Sequence, residues 1–106
     1  MNSQKLINEL VEGYTYSKYD EKYLKEKITL VLEFVIPKIA VIVRTKKEKE
    51  LLTLWNEVKQ DEEIKSLFRK TLESTDRPIV IYVASKFENN KYFGTKIIEE
   101  ALKLRS

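Results

Sequence analysis

The chain has 106 residues, 42% hydrophobic and 35% charged, the composition of one water-soluble domain. It contains no Cys and no His, and its two glycines, Gly13 and Gly94, lie far apart. Those absences exclude Cys/His zinc sites, His-ligated haem, disulfides, Cys nucleophiles, Ser-His-Asp triads and glycine-rich phosphate loops.

Twenty Lys and Arg against seventeen Asp and Glu leave a formal charge of +3. That is too small to mark a nucleic-acid binder by itself, and the signs alternate, as in Lys46-Lys47-Glu48-Lys49-Glu50, in the manner of solvated helix faces. The excess of Lys, Glu and Ile resembles a hyperthermophile bias. No charged leader followed by an apolar run opens the chain, and the most apolar stretch, 28–43, is broken by Glu33, Pro37 and Lys38. A cytoplasmic protein without a membrane span is expected.

Residues 3–12 read as an amphipathic helix with Leu6, Ile7, Leu10 and Val11 on one stripe, Ser3 as its N-cap and Gly13 as a left-handed C-terminal residue. Residues 14–27 are rich in Tyr and Lys, and Asp20 is the natural cap of a turn or two over 20–27. Residues 28–36 fit two patterns. Period two places Ile28, Leu30, Leu32, Phe34 and Ile36 on one face; period 3.6 makes Glu26, Thr29 and Glu33 a polar stripe continuing the helix from Asp20. Pro37 disfavours a helical Ile36, which tips the reading towards a strand.

Residues 39–44 and 79–84 are short, continuous and mostly β-branched, the pattern of strands buried on both faces. Between them, 46–60 carries Leu51, Leu54, Trp55 and Val58 at helical spacing, and 61–73 carries Ile64, Leu67, Phe68 and Leu72. Asp61 with Glu62 and Glu63 caps the second of these helices. A turn over 74–78 leads into the last strand, Asn89-Asn90 suits a hairpin or exposed loop, and Thr95 caps a closing helix with Ile97, Ile98, Ala101 and Leu102 inward. The predicted fold is a single α+β (α/β-like) domain of order α-β-β-α-α-β-α, a small three-stranded mixed sheet with helices packed on it.

Chemistry has to be sought among Asp, Glu, Lys, Arg, Tyr, Ser and Thr. Glu33, flanked by Leu32, Phe34 and Val35, is the best candidate for a carboxylate tuned by burial, unless it faces solvent. The Tyr/Lys cluster of Tyr14, Tyr16, Lys18, Tyr19, Lys22, Tyr23 and Lys25 joins rings that stack bases to cations that neutralise phosphates. The same spacing also suits Tyr16, Tyr19 and Tyr23 as one face lying on the core, and Asp20, Glu21 and Glu26 offset the local charge. Arg44, Lys46 and Lys47 fall where a strand meets a helix N-terminus, a place that can hold phosphate. Ser85, Lys86, Phe87, Asn89, Asn90 and Tyr92 follow the C-terminal end of a buried strand, where open α/β sheets place ligands, and form a candidate functional rim. Trp55 and Phe68 read as core; an uncovered face would make Leu52 and Trp55 a partner patch.

The inferred element order resembles the restriction-endonuclease-type core in topology alone. That family holds Mg²⁺ with an acid and a Glu-x-Lys or Asp-x-Lys tripeptide on adjacent strands, and such oxygen ligation needs no His or Cys. The corresponding strand here reads Ala40-Val41-Ile42-Val43-Arg44, with no acid two residues before the base and no Asp between Asp20 and Asp61. The resemblance therefore implies at most a degenerate or divergent Mg²⁺-dependent nuclease-like domain. The first expectation is a small non-catalytic binding protein acting by protein–protein contact, a homodimer, without a cofactor or metal. A nucleic-acid-binding accessory protein using the Tyr/Lys segment is the alternative.

Overall fold

Between Asp20 and Thr45 the apolar residues Leu24, Ile28, Val31, Leu32, Val35, Ile36, Ile39, Ala40 and Val43 recur at intervals of three and four, and all are buried. That is a helical stripe sustained over more than five turns. In the computed structural model the stretch is one helix, Glu21–Arg44, the longest of six among the described residues. The structure describes residues 3–14, 18–47 and 50–105, and among them it has no β-strand. In chain order the helices are α1 (Gln4–Glu12), α2 (Glu21–Arg44), α3 (Leu51–Val58), α4 (Glu62–Thr71), α5 (Arg77–Asn89) and α6 (Lys91–Arg105).

The expected mixed sheet is therefore absent, and the α+β fold class is replaced by an all-α bundle. Residues 28–36 and 39–44 are consecutive parts of α2, and 79–84 lies inside α5, whose buried residues Ile79, Val80, Val83 and Phe87 also keep helical spacing. The β-branched runs looked like strands because their local preference is for extended chain. Each such residue costs only about 0.5 kcal/mol in a helix, whereas burying its side chain returns about 1.5–3 kcal/mol. Packing decides. Pro37, read as a breaker, sits within α2 on its exposed side, and Glu33, whose carbonyl loses its helical donor there, is exposed as well. With no sheet, the resemblance to a nuclease core loses its basis.

α2 packs against all five other helices, most extensively α6, and α6 in turn packs against α1, α3 and α5. Twenty-four residues at about 1.5 Å rise make α2 about 36 Å long, most of the 43 Å extent of the molecule. The helix ends are built by local chemistry. Asp20 accepts from the Tyr23 amide at 3.1 Å and Asp61 from the Glu63 amide at 2.8 Å, as their positions predict. Ser3 stands at the N-cap of α1, but its hydroxyl makes no capping bond and is buried without a hydrogen-bond partner among the described residues. Gly13 closes α1 in the right-handed region rather than the left-handed one. Its lack of a side chain serves proximity: a Cβ there would lie 2.8 Å from the Tyr82 hydroxyl. Asn89-Asn90 makes no hairpin. A single extended residue, Asn90, separates α5 from α6 and caps α6 by accepting from the Phe93 amide at 3.0 Å. Thr95 lies inside α6 and bonds back to the Lys91 carbonyl.

The junction of α3, α5 and α6 is closely packed. Buried Trp55 donates its indole N–H to the Phe87 carbonyl at 2.7 Å, satisfying one of the acceptors that the end of α5 leaves open. Gly94 lets the indole through: a Cβ on it would lie 2.1 Å from Trp55 Nε1 and 2.8 Å from the Phe87 oxygen. Trp55 is thus core and contributes to no surface patch. Phe68 and Phe87 are also buried, with ring centroids 5.9 Å apart, while Leu52 is exposed.

Candidate functional site

The Tyr/Lys segment folds inward. Tyr16 lies outside the described residues. Tyr14 meets Tyr82 edge-on at 4.8 Å and Tyr19 at 5.9 Å, and Tyr19 stacks on Tyr23 at 5.4 Å with 12° between the planes. Asp76, at the head of α5, binds this cluster to the bundle. Its carboxylate accepts from the Tyr19 hydroxyl at 2.9 and 3.0 Å and from the Tyr23 hydroxyl at 3.1 Å. It makes no capping bond of its own; Pro78, in the first turn of α5, has no amide that needs one. Tyr82 donates to the Leu10 carbonyl at 2.6 Å and so ties α5 to α1.

These contacts hold the tyrosines protonated. Burial, then the hydrogen bond to Asp76 and its charge, pushes Tyr19 up to about 12, and burial does the same for Tyr82. For Tyr23 the hydrogen bond to Asp76 is the leading cause of a raised pKa. Lys18 lies over the Tyr19 ring at 5.7 Å and Lys27 over Tyr23 at 5.4 Å, so protein already engages the rings that a nucleobase would need. Lys22 and Lys25 are exposed and border a shallow groove with Glu26, Thr29, Leu30 and Glu33. Glu33 is itself exposed and is not a burial-tuned carboxylate.

The other predicted residues separate. Arg44 ends α2, and Lys46 and Lys47 follow it, so they stand at a helix C-terminus where the dipole favours cations, not at an N-terminus that would hold phosphate. Lys46 borders a groove with Asp61, Glu62 and Glu63 at the start of α4. The expected rim does not form, because its strand is a helix. Phe87 is fully buried, and Lys86 lies over the Tyr82 and Phe93 rings. Asn89 is exposed, with its amide 3.5 Å from the Ser85 hydroxyl. Asn90 is a cap, and the Tyr92 hydroxyl donates to the Glu9 carboxylate, which links α6 to α1. The Tyr92 pKa is raised, first by that hydrogen bond.

Two surfaces remain. One is a groove of about 550 Å³ in which Tyr14, Lys18, Arg77, Ile81, Tyr82 and Ser85 meet, uniting the Tyr/Lys segment with one residue of the rim. The other is a stripe that sequence reasoning missed. Leu30, Phe34 and Val41 are 48%, 45% and 52% exposed, and with exposed Pro37 they follow one another along α2 at intervals of four, three and four. Reading 21–44 as a single helix would have exposed this second apolar stripe, opposite the buried one. Among the described residues no group of three or more acidic side chains is placed to hold a metal, and no helix is long and apolar enough to cross a membrane. No family model, curated protein or solved structure matches the chain significantly.

Proposed function

We propose that this is a non-catalytic binding protein that works through protein–protein contact, with the outer face of α2 as its contact surface. The observation that carries the reading is the stripe of Leu30, Phe34, Pro37 and Val41. Scattered exposed apolar residues are ordinary on a protein surface, and a continuous row on the central helix supports the reading of a contact face. Shallow grooves flank it, of about 530 Å³ at Leu30 and about 540 Å³ at Val41, the latter floored by Ile42, Ile64 and Leu67. A partner side chain seated there would extend the apolar contact beyond the helix ridge.

The test places a photo-crosslinking amino acid at position 34 in the full chain and a control at exposed Glu73. Irradiation in a host lysate should give covalent protein adducts from position 34 and few from position 73. Equal yields at both would sink the reading.

A second reading is supported by the convergence of Lys18, Arg77 and Ser85 on the Tyr14–Tyr82 groove, which suits a phosphate-bearing strand. It requires salt-sensitive binding of single-stranded DNA or RNA that Lys18→Glu with Arg77→Glu removes. Fluorescence anisotropy with no change at low salt excludes it.

A further inference from the structure

We infer that the groove between Tyr14 and Tyr82 is a small-molecule site for a ring-bearing phosphate monoester, a single nucleotide in size; this rests on the phosphate-binding reading of that groove above and narrows its ligand. Lys18 and Arg77 line the groove and no carboxylate does. The grooves flanking α2 set Lys22 and Lys25 against Glu26 and Glu33, and Lys38 and Lys70 against Glu62 and Glu63. The acids nearest in sequence are engaged elsewhere or stand outside the lining. Asp76 accepts from Tyr19 and Tyr23, Asp20 accepts from the Tyr23 amide, and Glu12 is exposed beyond the groove. The charge that Asp76 still contributes nearby is offset by Lys86, 5.8 Å over the Tyr82 ring. Among the described residues neither Lys18 nor Arg77 makes an ion pair, so no carboxylate of the chain takes the place of an anion. Ser85 supplies a donor. Thr29, Thr71 and Thr95 bond back to the carbonyl four residues before them, whereas the Ser85 hydroxyl accepts from Asn89 at 3.5 Å and donates to no group among the described residues. A guanidinium, an ammonium and a hydroxyl suit the oxygens of one phosphate.

The remaining walls are apolar and held in place. Tyr82 is anchored on the Leu10 carbonyl at 2.6 Å, Tyr14 packs edge-on against it, and Pro78 is rigid. Ile81 adds an apolar surface that is 50% exposed beside the two cations. A mostly apolar hollow of about 550 Å³ with a few convergent polar groups has the form and size of a small-molecule site. The charge does not extend into a track for a strand. In the adjoining groove, which shares Ile81, Glu88 stands with Lys65 and Arg69, and Lys65 pairs with Glu62 at 3.9 Å. On the other side of Lys18, α2 begins with Asp20 and Glu21. The excess positive charge suits one phosphate and not a succession of them.

The test is isothermal titration calorimetry of the full chain with adenosine monophosphate as the probe, at low and at near-physiological salt. Adenosine, which lacks the phosphate, and inorganic phosphate, which lacks the ring, should each bind at least roughly tenfold more weakly. Lys18→Gln and Arg77→Gln should each weaken the nucleotide roughly tenfold. Lys22→Gln with Lys25→Gln removes the same charge from the groove on α2 and should leave the affinity unchanged. All four positions are exposed, and helical circular dichroism checks that the variants fold. A short oligonucleotide with a 5′-phosphate should bind within about threefold of the mononucleotide, because no further phosphate finds a partner. A mononucleotide that binds no tighter than inorganic phosphate marks an adventitious ion only and overturns the proposal, as does an affinity indifferent to Lys18→Gln and Arg77→Gln. If the oligonucleotide binds far more tightly than the mononucleotide, the one-nucleotide ligand fails and the strand reading of the groove stands. If neither binds at low salt, both fail.

Discussion

Gly94→Ala sets helix propensity against packing with opposite signs. Gly94 lies within α6, where alanine is favoured over glycine by about 1 kcal/mol, so a helix considered alone would gain stability. The tertiary structure reverses this. The new methyl would lie 2.1 Å from Trp55 Nε1, 2.5 Å from Trp55 Cε2 and 2.8 Å from the Phe87 carbonyl oxygen. Ordinary separations are about 3.5–4 Å, so the indole has to shift by more than about 1 Å. Trp55 is buried and held by its 2.7 Å bond to that same carbonyl, and a shift of this size breaks it. Overpacking costs about 1–3 kcal/mol, and a buried donor and acceptor left apart cost about 1–3 kcal/mol more. Set against the propensity gain, the net loss is about 3 kcal/mol, or a Tm lower by about 10–20 °C for a domain of this size. Thermal and urea melts followed by circular dichroism give the value, and the fluorescence of Trp55, the single tryptophan, reports whether the indole has moved. In Trp55→Phe the clashing N–H is gone, and adding Gly94→Ala should then cost much less, the coupling expected of touching residues. A Tm for Gly94→Ala equal to or above that of the parent would refute the account of this junction.

Three further outcomes are expected. Asp76→Ala should lower the urea midpoint, because two tyrosine hydroxyls lose their shared acceptor, and spectrophotometric titration should show Tyr23 ionising at lower pH; an unchanged urea midpoint would count against the cluster as a tie between α2 and α5. The contribution of Tyr19 and Tyr82 to stability should be fully present below about 10, the ordinary tyrosine value, and be lost as pH rises towards about 12. The folded state holds Tyr19 and Tyr82 protonated where the unfolded chain has released those protons, so the unfolded state is favoured as they ionise; urea midpoints that do not fall across that window would contradict the burial of these rings. Pro37→Ala, measured in the Phe34→Glu background so that association does not contribute, should raise stability by about 1–3 kcal/mol by restoring a hydrogen-bonded turn to α2. A loss there would mean that α2 needs the proline's geometry for its packing.

Where the signal is local, sequence and structure agree. Asp20 and Asp61 cap helices because a short carboxylate beside unpaired amides acts over three residues. α1, α3 and α4 carry clean amphipathic stripes with little β-branched content, and apart from Thr71 their buried residues lie on those stripes. The Tyr/Lys cluster was visible as composition, and its reading as a face on the core was one of two that the spacing allowed. What the sequence left open was decided over longer distances. Residues 28–44 and 79–84 have an extended local preference, and they are helical because α2 packs its inner face against all five other helices and α5 packs against α2, α4 and α6. Asp76 is an ordinary turn residue until α5 brings it to tyrosines more than fifty positions away. Gly94 carries no signal of its own, and only the passage of Trp55 explains it. The stripe from Leu30 to Val41 was always present in the letters, but it becomes a surface only once the other side of the same helix has been buried, because exposure belongs to the packed bundle and not to the chain.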